Sequence, residues 1–173
     1  LATTTPPNQY FPIYQRPVVF ASTGNTVGVA FGTGDRDDIL ADVDPATLIY
    51  PQRFYVVLDR ANTTTKREAD LTELPAAYDP DVPVNVEPNG WFLKFANRGG
   101  ERLITDPIAL QGYLFFSTFA PLPALEQLGP CNLRSTCGQS VGRARFYALS
   151  VANGNPVPGQ TDRSVEVPNT DFV

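Results

Sequence analysis

Proline and glycine interrupt this chain so often that its apolar runs stay short, which limits the secondary structure it can form. The 17 Pro and 13 Gly are spread over the whole 173 residues without a collagen-like period. The runs between them are about four to nine residues long, shorter than the roughly ten residues of a typical globular helix. Because they are also rich in β-branched and aromatic residues, which favour strands, the sequence predicts an all-β fold.

Eight segments carry this strand signal, and turn residues separate many of them. They are 17–20, 26–32, 53–59, 90–95, 101–104, 112–119, 143–151 and 164–167. The polar stretch 62–89 is predicted to be an irregular insertion, and a helix is expected only around 122–128. Short strands at this spacing fit a β-sandwich, a barrel or propeller blades about equally well. Periodicity alone therefore leaves the architecture open.

The composition excludes several classes of protein. A hydrophobic fraction of 42% is enough to build a core. A formal net charge of -5 removes the broad basic surface that sequence-independent binding to nucleic acid requires, so we expect no nucleic-acid partner. We also expect no membrane span, since no run of about 18 apolar residues occurs. Because the chain contains no Met, even at position 1, we expect a processed, trimmed or partial product.

Catalytic signatures are scarce in the sequence. It contains no His, the usual base for a Ser or Cys nucleophile, and no Gly-x-Ser-x-Gly elbow. Paired carboxylates of the kind that hydrolyse glycosides stay open, because their separation is a spatial property. We therefore expect a protein that is not an enzyme, and keep a small hydrolase or lyase on a β scaffold as the alternative class.

Cys131 and Cys137 enclose five residues in a segment that also contains Gly129, Pro130 and Gly138. A bridge between them is geometrically feasible and would contribute about 2 kcal/mol by restricting the unfolded chain. Two free thiols in a reducing compartment are the alternative, and the residues alone do not separate the two states. A zinc site is not expected, since two thiolates without any His leave the tetrahedron half empty.

Three further motifs have both a functional and a structural interpretation. Gly32-Thr33-Gly34 does not precede a helix, so it predicts a tight turn with positive φ instead of a phosphate-binding loop. Trp91, Phe92 and Phe95 could form a stacking surface for carbohydrate, but aromatic residues on strands usually belong to the core. An acidic cluster could supply oxygen ligands to Ca²⁺ or form a solvated loop. Its members are Asp35, Asp37, Asp38, Asp42 and Asp44.

Several segments in a fixed order resemble one protein family. They are 29–36, 53–59, 90–93 with 100–107, and 113–119. This order is similar to the C-terminal region of PilY-type proteins, whose propeller carries a Phe-Gly-Thr-Gly turn, a Phe-Tyr strand ending in Asp, and a Gly-Trp strand before a Gly-Glu-Arg turn. In that family a Cys-containing loop and a strand ending in Tyr-Ala-Leu follow. Cys131, Cys137 and 146–149 fall in the same order here, and the resemblance covers about residues 16–155.

The resemblance implies about two blades of a quinoprotein-like β-propeller, with a small β-sandwich as the alternative fold. Residues 1–15 are then an extended lead-in, 16–167 a single all-β domain or propeller segment, and 168–173 a tail. Within the domain, 16–95 form the first blade-like unit and 101–167 the second. Two blades cannot close a ring that has about 4 to 8 of them. We therefore expect open strand edges at 17–20 and 164–167.

The resemblance also implies an exported protein, located outside the cell or on its outer surface. We expect a non-enzymatic protein of a type IV pilus system that acts in pilus assembly or tip adhesion through protein contacts. A structural or scaffold subunit of an extracellular filament is the alternative. The expected partners are pilin or other pilus or filament proteins, or another segment of the same propeller.

The same resemblance bears on the disulfide and on calcium binding. Export favours a disulfide between Cys131 and Cys137. The family is known for a calcium loop resembling an EF-hand, but Arg36 and Ile39 stand here where that loop needs a ligand and a turn. No cofactor is therefore expected, and Ca²⁺ at the acidic cluster is kept as the alternative.

Overall fold

The computed structural model of the chain describes residues 11–22, 24, 26–35, 51–60, 65–86, 88–95, 100–121 and 142–167. Within these ranges the chain forms ten β-strands and one short 3₁₀ turn at Glu68–Asp70. The predicted all-β class is confirmed. The helix expected around 122–128 lies outside the described residues.

The first sheet consists of four successive antiparallel strands with a fifth, parallel strand at one edge. Along β3, burial alternates because Phe54 and Val56 face the core while Tyr55 and Val57 face outward. The strands pair in the order β1 (Val18–Ala21), β2 (Val27–Gly32), β3 (Arg53–Asp59), β5 (Gly90–Lys94) and β4 (Thr72–Leu74), of which β4 is parallel to β5.

The second sheet is another antiparallel series. Its strands are β6 (Arg102–Leu103), β7 (Ile108–Leu110), β8 (Tyr113–Pro121), β9 (Gly142–Ser150) and β10 (Ser164–Glu166). β6 and β7 pair one after the other with the same edge of β8, and β9 and β10 follow on its other side. β7 turns into β8 through Gln111 and Gly112, whose φ angles of 49° and 83° suit a two-residue hairpin.

The two sheets pack face to face around one apolar core, which contains inward-facing residues of both. The ring of Phe116 in the second sheet stacks on Phe54 of the first, with centroids 3.9 Å apart, and on Tyr147 at 4.7 Å. The indole Nε1 of Trp91 donates a hydrogen bond to the carbonyl of Val151 at 3.1 Å. Because each sheet buries its inner face only against the other, we expect the two to fold as one unit.

Thr33 and Gly34 join the two sheets instead of forming the predicted tight turn. The Thr33 N–H donates to the Arg53 carbonyl at 2.8 Å, and the Thr33 carbonyl accepts from the Leu103 N–H at 3.2 Å. Gly34 has a φ of 140°, and a Cβ there would lie 2.3 Å from the Cβ of Arg102. The requirement for glycine was predicted correctly. The predicted tight turn was wrong, because the backbone here stays extended and pairs with distant segments.

Two strands lie where the sequence predicted none. β4 falls in the insertion that was predicted to be irregular, and its sequence Thr-Glu-Leu has too few residues to show alternation. Pairing with the edge of β5 makes it a strand, so the prediction is wrong for 68–74. β7 is equally short, and its pairing with β8 decides its conformation.

Candidate interaction surfaces

Both expected open edges are edge strands in the structure. Among the described strands, β1 pairs only with β2, and β10 pairs only with β9. An edge strand presents backbone groups that a further strand can bind. The two edges differ, however, in how well their side chains protect them.

The ladder hydrogen bonds decide which backbone groups of β1 point away from the sheet. The Ser22 N–H donates to the Thr26 carbonyl at 2.9 Å, in register with the pairing of β1 and β2. Since bonded pairs alternate along an antiparallel ladder, Phe20 bonds to β2 and the backbone groups of Val19 and Ala21 point outward. The Val19 side chain is 65% exposed. β1 is therefore an apolar edge without a charged residue.

β10 has a charged residue on its edge. The Val167 N–H donates to the Ala144 carbonyl at 2.9 Å, so the same alternation directs the backbone groups of Glu166 outward. The Glu166 carboxylate forms ion pairs with Arg143 at 3.0 Å and with Arg145 at 3.5 Å. Because charged side chains oppose edge pairing, β1 is the more open of the two edges.

The face of the second sheet that points away from the first sheet carries exposed apolar side chains. Ile108 is 61% exposed, Leu110 59%, Val165 48% and Phe146 39%. The pairing register places them on one face, where Phe146 also stacks against Phe115 with centroids 6.3 Å apart. Exposed apolar side chains grouped on one face make that face a candidate interaction surface. We call it the outer face of the second sheet.

The outer face of the first sheet is partly covered by its own insertion. The rings of Phe31, Tyr55 and Phe92 form a row with centroid separations of 5.1 and 5.8 Å. Glu68 from the 3₁₀ turn accepts a hydrogen bond from the Tyr55 hydroxyl and forms an ion pair with Arg53 at 3.1 Å. Burial, together with the hydrogen bond to Glu68, raises the pKa of Tyr55 to about 12. Phe92 is left only 4% exposed.

A buried carboxylate lies between β8 and β9, and the sequence analysis missed it. The Oε1 of Glu101 accepts hydrogen bonds from the Thr118 hydroxyl and the Tyr147 hydroxyl, both at 2.7 Å. Burial and the neighbouring Glu101 raise the pKa of Tyr147. The three side chains tie the residue before β6 to the centre of the second sheet, which makes the cluster a structural contact. Only the Gly-Glu-Arg turn hinted at it in the sequence.

The aromatic residues that could have formed a carbohydrate-stacking surface are buried. Trp91 and Phe95 lie in the core between the sheets, which confirms the core interpretation for these two, whereas Phe92 is buried on the outer face of the first sheet. Cys131 and Cys137 lie outside the described residues, so their disulfide stays a prediction.

The acidic cluster is described only in part. The Tyr14 hydroxyl donates to the Asp35 carboxylate at 3.3 Å, and the other four acidic residues lie outside the described ranges. Among the residues that the structure does describe, no three His, Cys, Asp or Glu lie close enough to hold a metal ion. In the same residues, no helix has the length and apolar character needed to cross a membrane.

These features define an all-β protein of two packed sheets with an open apolar edge and an exposed apolar face. No protein-family model matches the sequence, and no curated protein matches it. The fold is similar to the crystal structure of the Pseudomonas aeruginosa PilY1 C-terminal domain, with a TM-score of 0.56 and 20% sequence identity. The match covers 84% of this chain and 32% of that domain. The chain thus spans about a third of the domain's length, and the likeness establishes the fold.

Proposed function

We propose that this chain is an exported, non-enzymatic component of a type IV pilus system, built as two neighbouring blades of a PilY-type β-propeller. The observation that carries the proposal is the likeness to the PilY1 C-terminal domain over 84% of the chain. The order of segments in the sequence points to the same family independently of the coordinates.

The topology of both sheets supports this assignment. A propeller blade is a four-stranded antiparallel sheet. β1, β2, β3 and β5 form such a series in the first sheet, and the interrupted strand β6–β7 with β8, β9 and β10 forms another in the second. A small β-sandwich accounts equally well for two packed sheets. The exposed outer face of the second sheet favours blades, because a blade inside a ring has a neighbour on each face.

The proposed mode of action is protein contact. Two blades leave a ring open, so the missing blades come from another segment of the same propeller or from another protein. The outer face of the second sheet and the edge of β1 are the surfaces for such contacts. Pilin or another pilus protein is the partner we propose beyond the ring itself.

Disruption of the coding frame in the source organism, with complementation in trans, tests the pilus role. We expect fewer surface pili by electron microscopy or weaker adhesion, with both restored by the wild-type gene. Unchanged pilus number and adhesion in the disrupted strain would contradict the proposal.

Immunogold labelling of the native protein separates adhesion at a tip from a scaffold role. Label confined to filament ends supports a tip component. Label along the whole filament supports the alternative, a structural subunit that decorates it. A strain lacking the gene is the control for nonspecific label.

A further inference from the structure

A cleft between the two sheets is lined by basic side chains, although the protein as a whole is acidic. Its volume is about 300 Å³, and two arginines line it, Arg145 of β9 and Arg163 just before β10. Lys94 of β5 also contributes to the lining, but its Nζ lies over the Phe92 ring on the outer face of the first sheet, 5.7 Å from the centroid. Asp162 is the single carboxylate among the described lining residues, which also include Tyr147 and Ser164. The formal net charge of the chain is -5. The cleft is therefore basic in a chain whose net charge is negative.

Arg163 is buried without a carboxylate partner in the part of the chain that the structure describes. It is 3% exposed, and its Nε and Nη1 donate hydrogen bonds to the backbone carbonyls of Gly154, Pro75 and Ala77 at 2.6 to 3.0 Å. Nη2 has no hydrogen-bond partner among the described atoms. Buried charges in proteins are normally paired, because removing a charge from water is costly. Burial accordingly lowers the pKa of Arg163.

Arg145 is the second cation of the cleft and has spare donor capacity. A guanidinium carries five N–H donors, and Arg145 donates from Nη1 to the Ser164 hydroxyl at 3.1 Å, while its Nη2 lies 3.5 Å from Glu166. Glu166 is outside the cleft lining. Lys94 Nζ pairs with Glu73 at 2.8 Å on the outer face of the first sheet and does not face the cleft. Among the described lining residues, two guanidinium groups therefore face one carboxylate.

We propose that this cleft binds the carboxylate group of a small acidic ligand, about the size of one amino acid or one sugar acid. A carboxylate accepts charge-assisted hydrogen bonds from guanidinium groups. Arg163 has Nη2 left to donate, because its Nε and Nη1 already donate to backbone carbonyls. A bound carboxylate would also supply the counter-charge that Arg163 lacks. The volume is at the lower end of the range for small-molecule sites, roughly 300–1,000 Å³, so it admits one small ligand. This site is separate from the outer face and the β1 edge.

Titration of the full chain with acetate, L-glutamate and D-glucuronate tests the proposal. ¹⁵N NMR spectra would follow the Nε–H signals of Arg145 and Arg163 and the amide of Ser164, with NaCl at equal ionic strength as the reference. We expect saturable shifts at these groups with at least one of the three carboxylates. The ligand that binds best shows whether hydroxyl or ammonium groups add to recognition. Shifts no larger than those with NaCl for all three would overturn the proposal.

Matched variants separate a site from general electrostatic attraction. Arg145→Gln should weaken binding about tenfold, the loss expected for one charge-assisted hydrogen bond. Arg143→Gln removes the same charge from the same strand and also removes one of the two ion-pair partners of Glu166, but Arg143 does not line the cleft. It should leave the affinity within about twofold. Equal losses in both variants would contradict a specific site.

Asp162→Asn gives a test in the opposite direction. Because Asp162 is the only carboxylate among the lining residues that the structure describes, its neutralisation should strengthen carboxylate binding severalfold. Weaker or unchanged binding in this variant would count against the proposal. Circular dichroism and the dispersion of amide signals confirm that each variant is folded. These readouts do not depend on pili, so a negative result leaves the proposed pilus function untouched. A negative result in the pilus experiments likewise leaves the proposed carboxylate site untouched.

Discussion

The outer faces of the two sheets are built from similar residues and have very different surroundings. On the first sheet, the insertion between β3 and β5 places Glu68 over Arg53 and Tyr55, and Phe92 is almost fully buried. On the second sheet, Ile108 and Phe146 remain exposed. The inner faces show no such contrast, since both contribute to one core.

The difference shows which side of the molecule has contact surface left to bury. A folded protein tolerates scattered apolar residues on its surface, but a contiguous apolar face is costly in solubility and usually has a partner. The first sheet has covered much of its own outer face with an insertion. The second sheet has no comparable cover within the described residues, and this is why its outer face is proposed above as a contact surface.

Substitutions in the shared core should lower the stability of the molecule most. Phe116→Ala removes the ring between Phe54 and Tyr147 and should lower the free energy of unfolding by about 3–5 kcal/mol. Phe146→Ala on the outer face of the same sheet is the matched control, with a cost below about 1 kcal/mol. Denaturation followed by Trp91 fluorescence and by far-ultraviolet circular dichroism should give one transition. Two separate transitions would show that the sheets do not depend on each other.

The edge of β1 offers a sharper contrast between neighbouring positions. Phe20→Pro removes an N–H that bonds to β2 and should cost about 1–3 kcal/mol beyond Phe20→Ala. Val19→Pro leaves the ladder intact, because the Val19 N–H points outward, and should cost less than about 1 kcal/mol beyond Val19→Ala. Chemical denaturation of the four variants gives both differences. Equal costs at 19 and 20 would contradict the ladder alternation described above.

The predicted disulfide would act on the second sheet, since residues 122–141 connect β8 to β9 in the sequence. If Cys131 and Cys137 are joined, replacing both with Ser should lower the free energy of unfolding by about 2 kcal/mol. Intact mass after alkylation, with and without reductant, decides whether the bond exists. Alkylation of both thiols without reduction would rule it out.

The two outer faces should differ in association more than in stability. Ile108→Ser with Phe146→Ser should cost less than about 1 kcal/mol of stability, because both side chains are exposed. The pair should weaken self-association or partner binding about tenfold or more, since burial of one large apolar side chain contributes about 1.5–3 kcal/mol. Val19→Ser with Val27→Ser on the first sheet is the matched pair and should have a smaller effect. Sedimentation velocity compares them, and a larger effect from the first-sheet pair would reverse the assignment.

High pH probes the covered face of the first sheet. An unfolded Tyr loses its proton near pH 10, whereas Tyr55 keeps its proton up to a pKa of about 12. Between these values the unfolded state binds fewer protons, so stability should fall as the pH rises from about 10 to 12. Below that range Tyr55 should not change the pH dependence of stability. Tyr55→Phe and Glu68→Gln should both make this decline shallower. An unchanged slope in both variants would show that the contact has no effect.

The eight strands predicted from the sequence all occur, because their signals are local. β-branched and aromatic runs bounded by turn residues favour extended backbone wherever they lie, and β3 and β8 illustrate this clearly. Burial of Trp91 and Phe95 was predicted for the same reason, since large apolar side chains on strands seek the core. The need for glycine at Gly34 was also readable from the motif.

Tertiary structure alone decided the features that depend on partners distant in sequence. Three residues with no alternation became β4 because β5 offered an edge, and Thr33 passed from one sheet to the other because the Leu103 N–H was there to donate to its carbonyl. The basic cleft brings Arg145 of β9 together with Arg163, and no sequence spacing predicts that these two residues share a site. Local propensity fixes the conformation of a segment, whereas hydrogen bonds and charges between segments exist only once the sheets have packed.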